Sequence, residues 1–335
     1  MATPRRIIAT EEGFNIPEVV QAVARYLSTH DDEPAHIDKL RAGYSPSKTP
    51  DLLQRLNDIG AARLADMDAA RIDASLLLSV VGVQLLERDE ANAMARLTND
   101  RAAAACRAHP GRLYALATIA PQDPQAAAEE FERGVKELGL KGAIVNSHTK
   151  GGYLDEHRFR PILEVAQALD APIYIHPREP SGAMLQPFVD YHLQGSLWGF
   201  ASEAALHAMR LIMSGVFDEL PHLKIVLGHL GEGIPYFLDR IDIRYAQETS
   251  PRRVALKRRP SEYFHRHFVV TSSGMNWPPA VKFCQDVLGA DKVMFAADYP
   301  FEDAAEAVNQ AAQLEMTAQT ADLFWSGNAE RVFGL

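Results

Sequence analysis

Eight short runs of apolar and β-branched residues recur along the chain. Between them apolar positions return with the three-to-four-residue period of amphipathic helices. The runs are Arg6–Thr10, Ile72–Val80, Leu113–Ile119, Gly142–Ser147, Ala171–Pro177, Lys224–Leu230, Phe268–Gly274 and Lys292–Asp298. Several are continuously apolar, as in Ile225-Val226-Leu227. Such a strand must be covered on both faces, which is the condition of a parallel sheet flanked by helices. Helical periodicity marks Leu52–Asp68, Arg88–Arg107, Pro124–Leu138, Arg158–Leu169, Glu203–Phe217, Ile234–Gln247 and Ala280–Leu288, with a last helix over Ala321–Val332. Strand then helix, repeated along the chain, predicts an α/β protein of the (β/α)8 TIM barrel class. The α/β alternative, a doubly wound open sheet, finds no Gly-rich phosphate turn after the first run.

No internal repeat and no low-complexity linker divides the sequence, so a single barrel domain over residues 1–335 is expected. Two longer insertions interrupt the pattern, Asn15–Thr49 after the first strand and Arg178–Ser202 after the fifth. Loops that follow barrel strands lie over the active-site face, so both are candidates for a lid, a substrate wall or a subunit contact.

Composition narrows the class further. Hydrophobic residues make up 47% of the chain and charged residues 23%, ample for a core. The formal charge of -10 argues against a nucleic-acid surface. The basic run Arg252–Arg259 is short and reads as a solvated loop or helix face. No apolar run reaches the roughly 20 residues that span a bilayer, and the N-terminal residues lack the apolar core of a signal peptide. A cytoplasmic location without membrane contact is therefore expected. Cys106 and Cys284 lack the spacing of a zinc site or a disulfide framework and read as ordinary buried thiols.

Polar side chains stand at the ends of four of the predicted strands. Glu11 follows Ile7-Ile8-Ala9-Thr10, His176 ends Ile173-Tyr174-Ile175, His229 follows Ile225-Val226-Leu227-Gly228, and Asp298 ends Met294-Phe295-Ala296-Ala297. Each has a plain structural reading alone: a capping acid at Glu11, with Glu12 beside it, a core histidine at His176, a turn at Asp298, a helix cap at His229. In a closed barrel, however, all four converge on one mouth. Two carboxylates and imidazole there make a mixed oxygen and nitrogen site suited to Mn, Fe or Zn in its open, catalytic form.

The segments Ala9-Thr10-Glu11-Glu12-Gly13-Phe14, Tyr174-Ile175-His176-Pro177, Gly228-His229-Leu230-Gly231-Glu232 and Asp298-Tyr299-Pro300-Phe301-Glu302 carry a resemblance. Ala65-Asp66-Met67-Asp68, Ala120-Pro121-Gln122-Asp123-Pro124, Asn146-Ser147-His148-Thr149 and Gly327-Asn328-Ala329-Glu330 add to it. Together they resemble the non-oxidative aromatic acid decarboxylases of the amidohydrolase superfamily. The likeness is greatest to the 5-carboxyvanillate enzymes and less to the γ-resorcylate and 2,3-dihydroxybenzoate enzymes, and it covers essentially the whole chain.

The resemblance implies that Glu11, His176 and Asp298 hold one divalent metal ion, with Asp298, His229 and Glu232 as catalytic groups beside a phenolic carboxylate substrate. It implies loss of CO2 from an ortho-hydroxybenzoate by ring protonation, without redox change. Gly13 stands where the wider superfamily often has a metal-binding histidine, as the 5-carboxyvanillate enzymes also lack it. The remaining oxygen-rich site favours Mn2+ over Zn2+. Arg240, Lys48, Ser79 and Phe301 are the implied substrate contacts. Lys48 and Phe301 replace an arginine and a tyrosine of the 5-carboxyvanillate enzymes, and Lys cannot reproduce a planar two-pronged grip on a carboxylate. A homo-oligomer, dimer or tetramer, is expected. The alternative is a metal-dependent hydrolase of an ester, lactone or carbon–carbon bond, which the same ligands would serve.

Overall fold

The computed structural model describes residues 6–30 and 50–335. Among the described residues nine short strands follow one another: β1 (Ile8–Phe14), β2 (Ala74–Ser79), β3 (Leu113–Ala115), β4 (Ala117–Thr118), β5 (Ala143–Asn146), β6 (Ile173–His176), β7 (Ile225–Leu227), β8 (Phe268–Thr271) and β9 (Val293–Met294). All their pairings are parallel, in the orders β1-β2-β3 and β4-β5-β6-β7-β8-β9. The strands β3 and β4 are halves of the third predicted run. The chain changes partner at Leu116, whose N–H donates to Leu77 O (2.9 Å), while Ala117 N donates to Gly142 O (2.8 Å). At the opposite seam Thr10 N donates to Phe295 O (3.1 Å) and Gly13 N to Tyr299 O (2.6 Å), joining the first stave to the last. The architecture is the expected (β/α)8 barrel.

Strand residues divide between two apolar cores. Ile8, Leu76, Leu116, Ile144, Tyr174, Val226 and Met294 fill the inside of the barrel. Leu77, Ala115, Val145, Ile175, Leu227 and Val270 pack outward against the helices. Continuous apolarity thus has its cause, because both faces of each strand are buried.

Helices Arg88–Ala108, Pro124–Lys136, Arg160–Ala168 and Ile234–Gln247 fall close to the bounds that the periodicity sets. The expected Leu52–Asp68 helix is instead two, Pro50–Asn57 and Ala61–Ala69. Asp58 Oδ1 accepts the N–H groups of Gly60 (2.9 Å) and Arg63 (3.2 Å), a local bond that ends one helix and starts the next. The last helix is likewise divided, by a π-helical turn at Leu323–Gly327. Helices at Pro17–Thr29 and Gly182–Val189 lie within the two predicted insertions, and Pro260–His267 and Ala304–Ala311 were not marked by the pattern. Cys284 is buried as expected, but Cys106 is only half-buried; neither forms a disulfide. Among the described residues no helix is long and apolar enough to cross a membrane.

Two departures from the predicted strands shape the site. The first strand runs on to Phe14, and its register slips between Ala9, opposite Ser75, and Glu12, opposite Leu77. Glu11 therefore sits at a bulge within β1 rather than beyond its end, and a bulge re-aims side chains. The ladder between the last stave and β8 ends at Met294, beyond which Phe295 N turns to Phe324 O (2.9 Å) and Ala297 N to the Glu12 carboxylate (3.0 Å).

Candidate active site

Glu11 is fully buried at the floor of the barrel mouth. Its Oε2 accepts from Thr271 Oγ1 at the end of β8 (2.8 Å) and from Tyr174 OH, which rises out of the inner core. Tyr174 and Thr271 are themselves 3.0 Å apart. These donors fix the carboxylate and leave Oε1 buried without a hydrogen-bond partner. Facing Oε1 are His176 Nε2 at 3.9 Å and His229 Nε2 at 4.0 Å, and His229 Nε2 is 3.9 Å from Asp298 Oδ2. The structure thus brings together all four polar strand-end residues.

Separations near 4 Å are too long for hydrogen bonds. Two donors each about 2.1 Å from one ion lie at most about 4.2 Å apart, so Glu11 and His176, 3.9 Å apart, are within the span of a shared cation. Among the described residues no three such side chains are gathered tightly enough to enclose an ion as they stand, so the cluster would have to draw in around one. The orphaned Oε1 and the mixed carboxylate and imidazole set both fit that ligand chemistry.

The chain after β7 takes an unusual path. His229, Leu230, Gly231, Glu232 and Gly233 all have positive φ, between 48° and 79°. The link from His229 to Glu232 is therefore a run of left-handed residues. It nevertheless delivers the pair, since His229 Nδ1 meets Glu232 Oε1 at 2.8 Å. That contact orients the ring with Nε2 toward Glu11 and Asp298. Gly228 has a different reason: a Cβ there would come 2.9 Å from Glu11 Oε2. At Gly13 a Cβ would meet Val80 (3.1 Å), Phe301 and Tyr299 O (both 3.3 Å), so this packing leaves no room for a histidine.

Burial is the largest influence on every titratable group here. It pushes the Asp298 carboxyl up to about 6, aided by the charge of Glu11 and opposed by His229. It raises Glu12 as well, opposed by the N–H groups of Ala297 and Tyr299 and by the guanidinium of Arg63, which favour the carboxylate. It pushes His176 down to about 4. At His229 burial is outweighed by Glu232, Glu11 and Asp298, and the imidazole titrates well above its usual range. At Glu11 it is outweighed by His229 and His176, and the carboxyl titrates low. A carboxyl that keeps its proton toward neutrality beside an imidazolium is an arrangement suited to proton transfer.

Above the cluster opens a cavity of about 400 Å³. His176, His229, Asp298 and Phe301 line it, the last of these 46% exposed. Glu232 lies beneath, buried, and touches the cavity only through His229. Ser79 is not at the wall; it is buried at the end of β2, and Val80 and Val81 take its place. Arg240 is not brought to the cavity either. It lies on the exposed side of the helix Ile234–Gln247, whose buried residues are Ile234, Pro235 and Leu238. Lys48 falls outside the described residues. His148, left out of the predicted site, is buried against Glu179 O (3.2 Å). Sequence reasoning missed Gln84, Asn146 and Arg178 on the cavity wall. Asn146 and Arg178 carried a usable signal, since each is a polar residue at, or two past, the end of a strand.

The amidohydrolase family profile matches residues 37–335. A γ-resorcylate decarboxylase from Rhodococcus jostii is 41% identical over 319 residues, covering 91% of this chain and 90% of that one. The crystal structure of a 5-carboxyvanillate decarboxylase from Sphingomonas paucimobilis is 39% identical, with a TM-score of 0.95 over 98% of this chain and 99% of that one. Another, from Novosphingobium aromaticivorans with manganese and 4-hydroxy-3-methoxy-5-nitrobenzoic acid bound, is 40% identical, with a TM-score of 0.94 over 98% and 96%. The likeness spans the strands that carry the cluster as well as the helices around it. The chain belongs to the amidohydrolase family, and within it to the branch that holds the γ-resorcylate and 5-carboxyvanillate decarboxylases.

Proposed function

We propose that this protein is a metal-dependent, non-oxidative decarboxylase of ortho-hydroxybenzoates, working as one barrel domain. The observation that carries the proposal is Glu11 Oε1, buried without a partner and facing two imidazoles under a cavity the size of a small aromatic ligand. Glu11, His176 and Asp298 would hold one divalent ion, Mn2+ in preference to Zn2+, because two carboxylates to one imidazole suit the harder ion. When bound, that ion supplies an electrophilic contact for the phenolate and carboxylate oxygens of the substrate.

The chain's own groups supply the rest. Leu52, Leu56, Val80, Val81 and Phe301 present an apolar wall to the ring. Asp298 donates its proton to the ring carbon that bears the carboxylate, which interrupts aromaticity. The bond to the carboxylate then breaks, its electron pair restores the ring, and CO2 leaves. The His229 imidazolium, held by Glu232, stabilises the Asp298 carboxylate left behind.

Two further expectations attach to this reading. A cytoplasmic location accords with two thiols that form no disulfide. A homo-oligomer, dimer or tetramer, accords with the exposed aromatic side chains of Tyr236, Phe237 and Trp277. The test of function is to strip the protein with chelator, reload it with Mn2+ or Zn2+, and assay CO2 release from hydroxybenzoates alongside lactone hydrolysis. CO2 release that depends on metal and is greater with Mn2+ is expected. Lactone hydrolysis without decarboxylation, or full activity in metal-free protein, would overturn the reading.

A further inference from the structure

Behind Asp298 lies a group that the chemistry above does not use. Glu12 is 2% exposed, and its two oxygens are spent on backbone: Oε1 accepts from Ala297 N (3.0 Å) and Oε2 from Tyr299 N (3.3 Å). Those residues flank Asp298, so one carboxylate grips the chain on both sides of it. Asp298 itself has φ of 67°, a left-handed conformation that L-residues adopt at a cost and keep where the surroundings enforce it. Ladder pairing with β8 has stopped at Met294, and on the other side one backbone bond, Gly13 N to Tyr299 O (2.6 Å), joins this segment to β1 and leaves the N–H groups on both sides of Asp298 to Glu12.

The grip is in turn braced. Arg63, 1% exposed, donates to Gly13 O (2.6 Å) and Asp58 O (2.8 Å), and its guanidinium lies 4.8 Å from the Tyr299 ring centroid. Tyr299 OH donates to Asp66 Oδ2 (2.6 Å). A carboxylate is the side chain that offers two acceptor oxygens and no donor, which two inward-facing N–H groups require.

We infer that Glu12 is the positioning residue of Asp298, holding its backbone in the left-handed conformation from which the side chain faces His229 and Glu11. The inference rests on the reading of Asp298 as an ion ligand and proton donor.

Glu12→Gln tests it, because the amide keeps one acceptor and turns an NH2 toward the other N–H. Mn2+ affinity of the metal-free protein is measured by calorimetric titration for wild type, Glu12→Gln, Asp298→Asn and the double variant, with melting curves and steady-state kinetics beside it. Glu12→Gln is expected to weaken Mn2+ about tenfold and to lower kcat about tenfold or more at unchanged KM. In the Asp298→Asn background it should weaken Mn2+ no further. Glu12→Asp, with both oxygens on a shorter arm, should recover part of kcat, and it carries the same cycle if the Gln variant does not fold. If Asp298→Asn weakens Mn2+ while Glu12→Gln does not, or if the two losses simply add, the inference fails and the reading of Asp298 stands. If Asp298→Asn leaves Mn2+ affinity unchanged, the reading of Asp298 as a ligand fails, and the inference falls with it.

Discussion

Replacing Asp298 by Asn removes a charge and a transferable proton while leaving the shape almost unchanged. The fold around it does not depend on the carboxylate. Phe301 N (2.9 Å) and Glu302 N (3.1 Å) donate to the backbone oxygen of Asp298, and Asn is among the residues that best tolerate positive φ. Since burial, aided by the charge of Glu11 and opposed by His229, pushes the native carboxyl up to about 6, a neutral amide there costs the folded state little. The melting temperature should therefore stay within a few degrees of wild type. Turnover should not. A positioned general acid contributes about 10²–10⁴-fold, roughly 3–5 kcal/mol of barrier at 1.36 kcal/mol per decade. The lost ligand charge adds to this. The assay is CO2 release from a saturating hydroxybenzoate by Mn2+-loaded wild type and variant, with bound metal quantified in both. A folded, metal-loaded Asp298→Asn protein that turns over within tenfold of wild type would refute the role of Asp298 as acid.

Gly228→Ala should lower Mn2+ affinity and turnover at least tenfold, because its Cβ would meet a Glu11 carboxylate that Tyr174 and Thr271 prevent from moving; unchanged affinity by titration would contradict this. Buried His207 titrates near 3 instead of 6.5, chiefly through burial. The unfolded chain therefore takes up this proton first as pH falls, and the stabilisation, complete above about 6.5, is lost between 6.5 and 3, by about 2 kcal/mol at pH 5. Urea unfolding of wild type and His207→Gln at pH 7 and pH 5 measures it, and equal losses in the two proteins would count against it. Lys48→Arg and Phe301→Tyr should each raise kcat/KM for a dicarboxylated phenol more than for a simple hydroxybenzoate, about tenfold for a regained hydrogen bond to charge. Equal changes on both substrates would show that neither residue reads the second carboxylate.

The barrel was legible because strands covered on both faces are continuously apolar, and a polar residue that ends such a run is conspicuous. His176, His229 and Asp298 stood out for that reason. Glu11 was found by the same logic but for an incomplete reason, since a bulge places it inside β1. Glu12 looked like an ordinary neighbouring acid. Two adjacent buried acids contradict strand alternation, and only the pairing of β1 with the chain at Ala297–Tyr299 shows where the second one goes. Arg240 lies outside the cavity of this chain for another reason. Its helix leaves Tyr236, Phe237 and Ile243 exposed, so the apolar residues do not mark the buried side. Ser79 missed the wall by a single residue, beyond the resolution of any sequence pattern.

Strain is concentrated where the chemistry is. Among the described residues nine non-glycine positions have positive φ, and His229, Leu230, Glu232 and Asp298 are four of them. At roughly 1–3 kcal/mol each, this is a cost comparable to the net stability of a domain. It persists because the surroundings over-determine the geometry: β7 and β8 are sealed on both faces, Glu232 is tied to His229, and Glu12 is tied to both sides of Asp298. A straight helix or strand would place successive side chains by its own period, and neither period gives two imidazoles and two carboxylates about one point. The left-handed turns break that period at the ends of the sixth and eighth staves, and the bulge breaks it at the first. β6, the one contributing strand without such a break, delivers a single residue, His176, at its natural end.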